Sequence, residues 1–282
     1  MQLLISVGVH GNETAPIEML APVLQQLART PGALGVDLLI VVGNTAAIAR
    51  GTRFIDADLN RLFCVERGAL AGSAEAQRAD AMMAATGAFL ATPAPRKWHL
   101  DLHSAVRQSR YARFAVIPAQ ADDPKQEPLA AWLGGAAIEA MMFNTQRAST
   151  YSAFTARSFG ALSCTVELGQ VGMLNKQPPD RLLVTRLALG RLLRGELPAP
   201  NGQMPARFRV AQEIIKRSEQ FQMNIDDSSP NFAAFAPGSI IATDGPLVAR
   251  VGAATEYVVF PNPRVLIGQR AGLMVVQVDR PA

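Results

Sequence analysis

A histidine and a glutamate three positions apart follow the first apolar run, in Val7-Gly8-Val9-His10-Gly11-Asn12-Glu13. Imidazole and carboxylate are both common zinc ligands, and a turn that contains Gly11 can bring side chains at this spacing onto one ion. Open α/β sheets place their sites where buried strands end, and this segment is such a place. As a structural alternative, His10 bonds a loop while Glu13 sits favourably at the positive end of a helix. The spacing by itself leaves both interpretations open.

Polar and apolar residues alternate in the segment Trp98-His99-Leu100-Asp101-Leu102-His103-Ser104. Because a period of two is typical of a strand, we predict that His99, Asp101 and His103 share one face. We select His103 as the third ligand, since it lies at the predicted strand end and His99 would lie far from it. Asp101 either orients a ligand from behind or caps a nearby turn. Three protein ligands would leave zinc an open position for an activated water.

A site of this kind also needs a proton carrier, and Glu167 is the candidate. It ends the apolar run in Thr165-Val166-Glu167-Leu168-Gly169, so we expect it at the same edge of the sheet as His103. A lone glutamate at a strand end is otherwise a surface charge. The assignment of Glu167 as proton carrier therefore depends on the other motifs.

Two arginines and an asparagine lie in a loop-like segment after the second predicted strand, at Arg53, Asn60 and Arg61. The planar guanidinium group matches a carboxylate in two-point contacts and can stabilise a developing oxyanion. Arg61 with Asn60 would then clamp a substrate carboxylate. The alternative is that Arg61 only pairs with Asp56 or Asp58.

The elements that must position these residues alternate between short apolar runs and longer helix-like stretches, which indicates a sheet layered with helices. Strands are predicted at residues 3–9, 36–42, 98–103, 114–117 and 162–168, and helices at 15–28, 74–90, 127–142 and 179–193. Pro16 and Pro179 suit helix starts. The first two-thirds of the chain is therefore predicted to be an α/β domain.

The helical pattern stops near Leu197-Pro198-Ala199-Pro200-Asn201-Gly202, and shorter β-type runs follow. They lie at residues 207–215, 239–242, 247–251, 257–260 and 273–278. We therefore predict a catalytic domain at residues 1–199 and a smaller β-rich domain at residues 200–282.

Composition narrows the class of function. The chain has 282 residues, a formal net charge of +4 and 49% hydrophobic residues, but no extended basic run with interleaved aromatics, which argues against nucleic-acid binding. No apolar run is long enough for a membrane span, no basic leader precedes the first motif, and Cys64 and Cys164 show no paired spacing, so we expect a cytoplasmic protein. The modest positive charge suits a small anionic substrate, or is only a solvated surface. Nothing indicates an oligomeric state.

Four motifs in this order resemble the succinylglutamate desuccinylase and aspartoacylase family. They are His10-Gly11-Asn12-Glu13, Asp58-Leu59-Asn60-Arg61-Leu62-Phe63, Asp101-Leu102-His103-Ser104-Ala105 and Val166-Glu167-Leu168-Gly169. The C-terminal stretches Ile215-Lys216-Arg217-Ser218-Glu219-Gln220-Phe221, Phe260-Pro261-Asn262-Pro263-Arg264-Val265 and Gly268-Gln269-Arg270-Ala271-Gly272 are more similar to the desuccinylase branch. The resemblance covers nearly the whole chain.

This resemblance implies a zinc carboxypeptidase-like mixed sheet, layered with helices, and a β-rich domain that narrows the entrance. It implies one Zn²⁺ per chain, with His10, Glu13 and His103 as ligands and Glu167 as general base and acid. By the same resemblance Arg53 would polarise the scissile carbonyl, Asn60 and Arg61 would bind a substrate carboxylate, and His99 has no role. Family members usually have further residues before the first motif, so we expect an edge strand or a substrate-side wall to be absent.

The implied reaction is hydrolysis of N2-succinyl-L-glutamate to succinate and L-glutamate in arginine breakdown. Two alternatives stay open. One is an aspartoacylase-like deacylase of another N-acyl amino acid, in which the metal machinery is the same and the pocket differs. The other is a non-catalytic relative that binds a metal or a metabolite, although Glu167 argues against it.

Overall fold

A ten-stranded mixed sheet runs through the computed structural model, which describes residues 1–105, 107–170, 182–198, 203–226 and 228–279. Its strands are β1 (Gln2–Val7), β2 (Asp37–Val42), β3 (Lys97–Ala105), β4 (Phe114–Ile117), β5 (Ala140–Phe143), β6 (Leu162–Gln170), β7 (Ala206–Ile215), β9 (Ala233–Phe235), β12 (Glu256–Val259) and β13 (Arg270–Val278). A second, three-stranded sheet contains β8 (Phe221–Met223), β10 (Ile240–Asp244) and β11 (Leu247–Arg250). The described helices are α1 (Ala15–Arg29), α2 (Thr45–Arg50), α3 (Ala74–Leu90), α4 (Glu127–Gly135), α5 (Tyr151–Phe159) and α6 (Leu183–Leu193).

The large sheet has the strand order β2-β1-β3-β6-β4-β5-β7-β13-β12-β9. The strands β2, β1, β3 and β6 are parallel, β4 is antiparallel to β6, and β5 is parallel to both β4 and β7. Antiparallel pairing continues from β7 through β13 and β12 to β9. The carboxyl ends of β1, β3 and β6 therefore meet at one edge, where the predicted site residues lie.

Both faces of the parallel part are covered, and the alternation in β3 decides which side chains go where. Trp98, Leu100 and Leu102 pack in one core cluster with apolar residues of α1, α4 and α6. The opposite face of β3 carries His99, whose ring contacts Tyr151 of α5. The predicted alternation in this segment is confirmed.

One predicted helix is wrong. Residues 127–142 were expected as a single helix, but α4 ends at Gly135 and β5 begins at Ala140. The chain reverses through Ala137, which has a positive φ of 59°, and an uninterrupted helix does not contain such a residue. The four residues of β5 are all buried between β4 and β7, and this tertiary pairing overrides the apolar helical pattern.

Most other predicted elements are confirmed, with ends shifted by no more than three residues. The last helix is described from Leu183, and its predicted start at Pro179 lies outside the described residues. Short elements without a clear sequence pattern were missed, namely α2, α5, β8 and β9. Within the described part of the chain, no helix is long and apolar enough to cross a membrane.

The C-terminal part is rich in strands, as predicted, and four of its strands, β7, β13, β12 and β9, continue the large sheet. β7 pairs with β5 and so extends the large sheet, while β8, β10 and β11 lie against it through a shared core that includes Ile214, Ile241 and Met274. The predicted boundary at residues 199 and 200 lies outside the described residues, so the division into two domains stays a prediction.

Gly11 is the point where the first site loop touches the helix after β2. A Cβ atom at Gly11 would lie 2.2 Å from the carbonyl carbon of Ala47 and 2.4 Å from the backbone nitrogen of Ile48. The backbone of Gly11 also donates a hydrogen bond to the carbonyl of Arg53, 3.1 Å away. Only glycine permits this approach, because backbone atoms cannot move aside as a flexible side chain can.

We predict that Gly11→Ala destabilises the protein by about 2–3 kcal/mol, because the new methyl group overpacks two backbone segments. Gly32→Ala is the matched control, since a Cβ there meets nothing within 4 Å. Urea unfolding of both variants measures the difference. Equal midpoints for Gly11→Ala and Gly32→Ala would show that the loop can shift without cost.

Candidate metal centre and active site

The carboxylate of Glu13 lies between the two histidines that the sequence singled out. Its Oε1 atom is 2.8 Å from Nδ1 of His10, and its Oε2 atom is 3.0 Å from Nδ1 of His103. The backbone N–H of Ser104 donates to the same Oε2 at 3.0 Å. The possible ligand atoms of His10, Glu13 and His103 all lie within 4.8 Å of one another, and all three residues are buried. The turn between β1 and α1 and the end of β3 thus bring three ligands of two types to one point.

The other ring nitrogen of each histidine faces an aspartate. Nε2 of His10 is 2.9 Å from Oδ1 of Asp58, and Nε2 of His103 is 3.0 Å from Oδ2 of Asp101. A carboxylate accepts only, so in both pairs Nε2–H is the donor. Such a bond is typical behind metal-binding histidines, because it fixes the ring and leaves Nδ1 to face the ion.

Opposite charges in this cluster stabilise each other's charged forms. Burial opposes a charge on His103, but the carboxylates of Asp101 and Glu13 outweigh it and raise the pKa of His103 well above its ordinary value. Burial likewise opposes the charge of Glu13, yet His103 and His10 hold its pKa well below the usual range. The pKa of Asp58 is also lowered against burial, by His10 and by two arginines. Glu13 and Asp58 are therefore ionised at neutral pH.

Arg53 lies in the same cluster. Its Nη1 atom donates to Oε1 of Glu13 at 2.9 Å, and Nη2 is 3.0 Å from Nε2 of His10 and 3.5 Å from Oδ2 of Asp58. About a third of the side chain is exposed, at 34%. The guanidinium group therefore links the ligand cluster to solvent.

Asn60 and Arg61 occupy a short 3-10 turn that begins after Asp58. The side-chain oxygen of buried Asn60 accepts from the backbone N–H of Tyr151 at 2.9 Å, which leaves its amide N–H₂ group as the part able to bind an anion. Arg61 is exposed, and its Nη1 atom donates to the backbone oxygen of Asn60 at 3.2 Å. No ion pair joins Arg61 to Asp56 or Asp58 among the described contacts.

Glu167 lies on β6, directly beside His103 in the register of the parallel pair. It is 7% exposed, and its Oε2 atom finds no hydrogen-bond partner among the described residues. Burial raises the pKa of Glu167 to about 7, with Glu13 adding to the effect and His103 opposing it. A buried carboxyl group that exchanges its proton near neutral pH is suited to general acid–base catalysis.

Comparison with known proteins assigns the family. The model of the succinylglutamate desuccinylase/aspartoacylase catalytic domain matches residues 1–193, and that of the AstE/AspA barrel-sandwich hybrid domain matches residues 203–278. The chain belongs to the succinylglutamate desuccinylase/aspartoacylase family. A protein named succinylglutamate desuccinylase from Burkholderia pseudomallei is 40% identical over 281 residues, which is 99% of this chain and 80% of that protein.

Solved structures agree with this membership of the desuccinylase/aspartoacylase family. The succinylglutamate desuccinylase of Vibrio cholerae superposes with a TM-score of 0.89 at 33% identity, over 99% of this chain and 82% of that one. The Chromobacterium violaceum enzyme of the same name gives a TM-score of 0.80 at 35% identity, over 100% and 86% of the two chains. The predicted fold class and family are confirmed.

Nothing in the sequence indicated a role for Glu75. In the structure, this residue holds the loop that carries Arg53 and Asp58. The carboxylate of Glu75, 1% exposed on α3, accepts from the backbone N–H groups of residues 55, 56 and 57 at 2.6, 3.1 and 3.1 Å. It also accepts from Nδ2 of Asn44 at 2.9 Å. Glu75 lies in the first turn of a helix, where a glutamate is so common that no sequence signal marks it.

We predict that Glu75→Gln destabilises the protein by about 2–3 kcal/mol, because an amide N–H₂ group would face backbone donors in place of a charged acceptor. Glu66→Gln, at an exposed position, is the control and is expected to leave stability unchanged. Urea unfolding compares the two. A Glu75→Gln midpoint equal to that of Glu66→Gln would contradict the assigned role of this carboxylate.

The raised pKa of Glu167 predicts a pH-dependent stability of the metal-free protein. Between about pH 4.5 and 7 the unfolded chain ionises this residue while the folded chain keeps the proton, so stability falls as pH rises. Glu167→Gln removes that loss, and its advantage over the wild type should grow on the order of 3 kcal/mol across this range. Urea unfolding in the presence of a chelator measures the difference, and a pH-independent advantage would contradict the assigned pKa.

Proposed function

We propose that this protein hydrolyses N2-succinyl-L-glutamate to succinate and L-glutamate, as a step of arginine breakdown in the cytoplasm. The observation that carries the proposal is the buried group of His10, Glu13 and His103 beside a protonatable Glu167, in a chain 40% identical to a protein named for this reaction. The free thiols Cys64 and Cys164 support a reducing compartment.

The proposed cofactor is one Zn²⁺ per chain, held by His10, Glu13 and His103. Two imidazoles and one carboxylate are a ligand set found in catalytic zinc sites, and an aspartate behind each histidine supports this choice. The Oε2 atom of Glu167 beside these ligands has no hydrogen-bond partner among the described residues. This free acceptor supports a site in which a bound water or substrate supplies the partner. When bound, zinc supplies Lewis acidity, which polarises a carbonyl and makes water more acidic.

Glu167 is the proposed proton carrier. Its carboxylate takes a proton from the attacking water and delivers it to the nitrogen of the departing glutamate, so that the amide C–N bond breaks as a neutral amine leaves. Its pKa of about 7 without metal lies close to neutral pH, where a group can both accept and return a proton. Burial keeps the carboxyl group from exchanging that proton freely with bulk water.

Arg53 and the Asn60–Arg61 pair are the proposed substrate-binding groups. Arg53 reaches from the ligand cluster towards solvent, so its guanidinium can polarise the scissile carbonyl and stabilise the oxyanion that forms. Asn60 presents an amide N–H₂ group, and Arg61 presents an exposed guanidinium. Together they offer donors to one carboxylate of an N-acyl amino acid, a small anionic substrate.

A substrate panel tests the reaction with zinc-loaded protein. We expect kcat/KM for N2-succinyl-L-glutamate to exceed that for N-acetyl-L-aspartate, since a site built to bind a carboxylate discriminates strongly against a substrate that cannot reach it. Release of the free amino acid is the measurement. A preference for N-acetyl-L-aspartate would instead identify an aspartoacylase-like deacylase, and zinc binding without turnover of either compound would identify a non-catalytic relative.

Glu167→Gln is expected to lower kcat by about 10²–10⁴-fold, because general acid–base catalysis is lost while the shape of the side chain is kept. Glu219→Gln is the control, since the side chain of Glu219 is 84% exposed. Near wild-type turnover by zinc-loaded Glu167→Gln would contradict the proposed role of Glu167 as proton carrier.

A further inference from the structure

A chain of buried polar side chains runs behind His103, on the face of β3 that packs against α5. We call it the polar chain, and it consists of Ser163, Thr155, His99, Ser6 and Asp101. Its successive contacts measure 2.9, 2.8, 2.8 and 2.5 Å, and the last carboxylate contacts His103 at 3.0 Å. Every member is at most 2% exposed. Bulk water therefore does not reach these polar atoms, and they find their hydrogen-bond partners in one another and in nearby backbone oxygens.

The carboxylate of Asp101 sets the direction of the neighbouring hydrogen bonds. Because a carboxylate accepts only, the hydroxyl of Ser6 must donate to Oδ1 of Asp101. A serine hydroxyl has a single proton, so Ser6 must in turn accept from His99, and Nε2 of His99 carries the hydrogen.

The other nitrogen of His99 then has to accept. Burial lowers the pKa of His99 to about 4, so at neutral pH the ring holds one proton and Nδ1 is bare. The hydroxyl of Thr155 lies 2.8 Å from Nδ1 and 3.0 Å from the backbone oxygen of Ser152, so these two acceptors share its single proton. The donors of His99 and Ser6 therefore both point towards Asp101.

We infer that His99 is a positioning residue, which acts through Ser6 to hold the Asp101 carboxylate and thereby orients the ring of His103. The inference deepens the proposed function and rests on it, since His103 is there a proposed metal ligand. Oδ1 of Asp101 is held by Ser6 and Oδ2 by His103, and the final torsion of an aspartate is broad. Without the hydroxyl of Ser6, the carboxylate would rotate and His103 would lose its fixed partner.

A purely structural role makes a different forecast. The polar chain would then only satisfy buried atoms, and any break in it would cost stability without changing the metal site in particular. Ser152 provides the comparison, since its buried hydroxyl contacts Thr165 at 2.8 Å in the same layer but contacts no side chain of the polar chain. Ser6→Ala and Ser152→Ala delete the same atom from equally buried places.

Histidine NMR tests the tautomer directly in the protein as it is. The chain contains three histidines, so ¹⁵N-histidine labelling gives few ring signals, and the set lost in His99→Gln assigns His99. We expect a protonated Nε2 and an unprotonated Nδ1 for His99, with or without Zn²⁺. A proton on Nδ1 of His99 would overturn the inference, because Ser6 would then have to donate to His99 and not to Asp101.

Zinc affinity tests the effect on the site, by competition of Zn²⁺ with a chelating dye. We expect Ser6→Ala to weaken Zn²⁺ binding about tenfold, at the low end of the range for residues that orient ligands, and Ser152→Ala to bind within about twofold of the wild type. Equal affinities for these two folded variants would overturn the inference. If Ser6→Ala does not fold, His99→Phe and His99→Gln take its place. His99→Phe should weaken binding, and His99→Gln, which retains an N–H donor, should largely restore it.

The two proposals fail in different ways. If the wild type binds no Zn²⁺, the proposed metal site is wrong, and the same NMR spectrum still accepts or rejects the predicted tautomer of His99. If the wild type binds Zn²⁺ and releases glutamate but both His99 variants bind the ion as tightly, only the role of His99 is wrong.

Discussion

Parallel pairing of β1, β3 and β6 in one register is the constraint on which the site depends. It sets Ser6 beside Asp101, and His103 beside Glu167. Neighbouring strands lie about 4.8 Å apart, so side chains that are distant in sequence come within hydrogen-bond reach once the register is set. A slip of one residue would move every polar group of β3 to the opposite face, among Trp98 and its apolar neighbours.

Near the ends of β1, β3 and β6, acidic groups are concentrated in a buried region where apolar side chains would otherwise be expected. Glu13, Asp101 and Glu167 are buried together, and the cationic groups that lie against them among the described residues include His10, His103 and Arg53. Isolated buried charge is costly, so such a cluster persists only when cations and hydrogen bonds compensate for it. The raised pKa of Glu167 shows that this compensation is incomplete for the last carboxyl group. A divalent cation among the ligands would relieve the same imbalance.

The remaining parts of the fold support this cluster from outside. Glu75 accepts hydrogen bonds from the backbone of residues 55–57. Asn60, in the same loop, accepts from the backbone of Tyr151 at the start of α5, so this loop is bonded to α3 and to α5. The pairing of β7 with β5 extends the sheet into the C-terminal part of the chain. The loop that carries Arg53 is irregular, yet a buried carboxylate and a close approach at Gly11 restrict it.

The sequence by itself determined the strands near the site, the shared face of His99, Asp101 and His103, and the motif order that indicated the family. These features are local, because alternation and residue type are visible in a single segment. Only the tertiary structure decided that residues 140–143 form a strand, since their apolar pattern suits a helix equally well and the neighbours β4 and β7 select the strand. It likewise decided the partners of Glu75 and the place of His99 behind Asp101. Those contacts join residues separated by up to 95 positions, and spacing in the sequence carries no information about distances across a sheet.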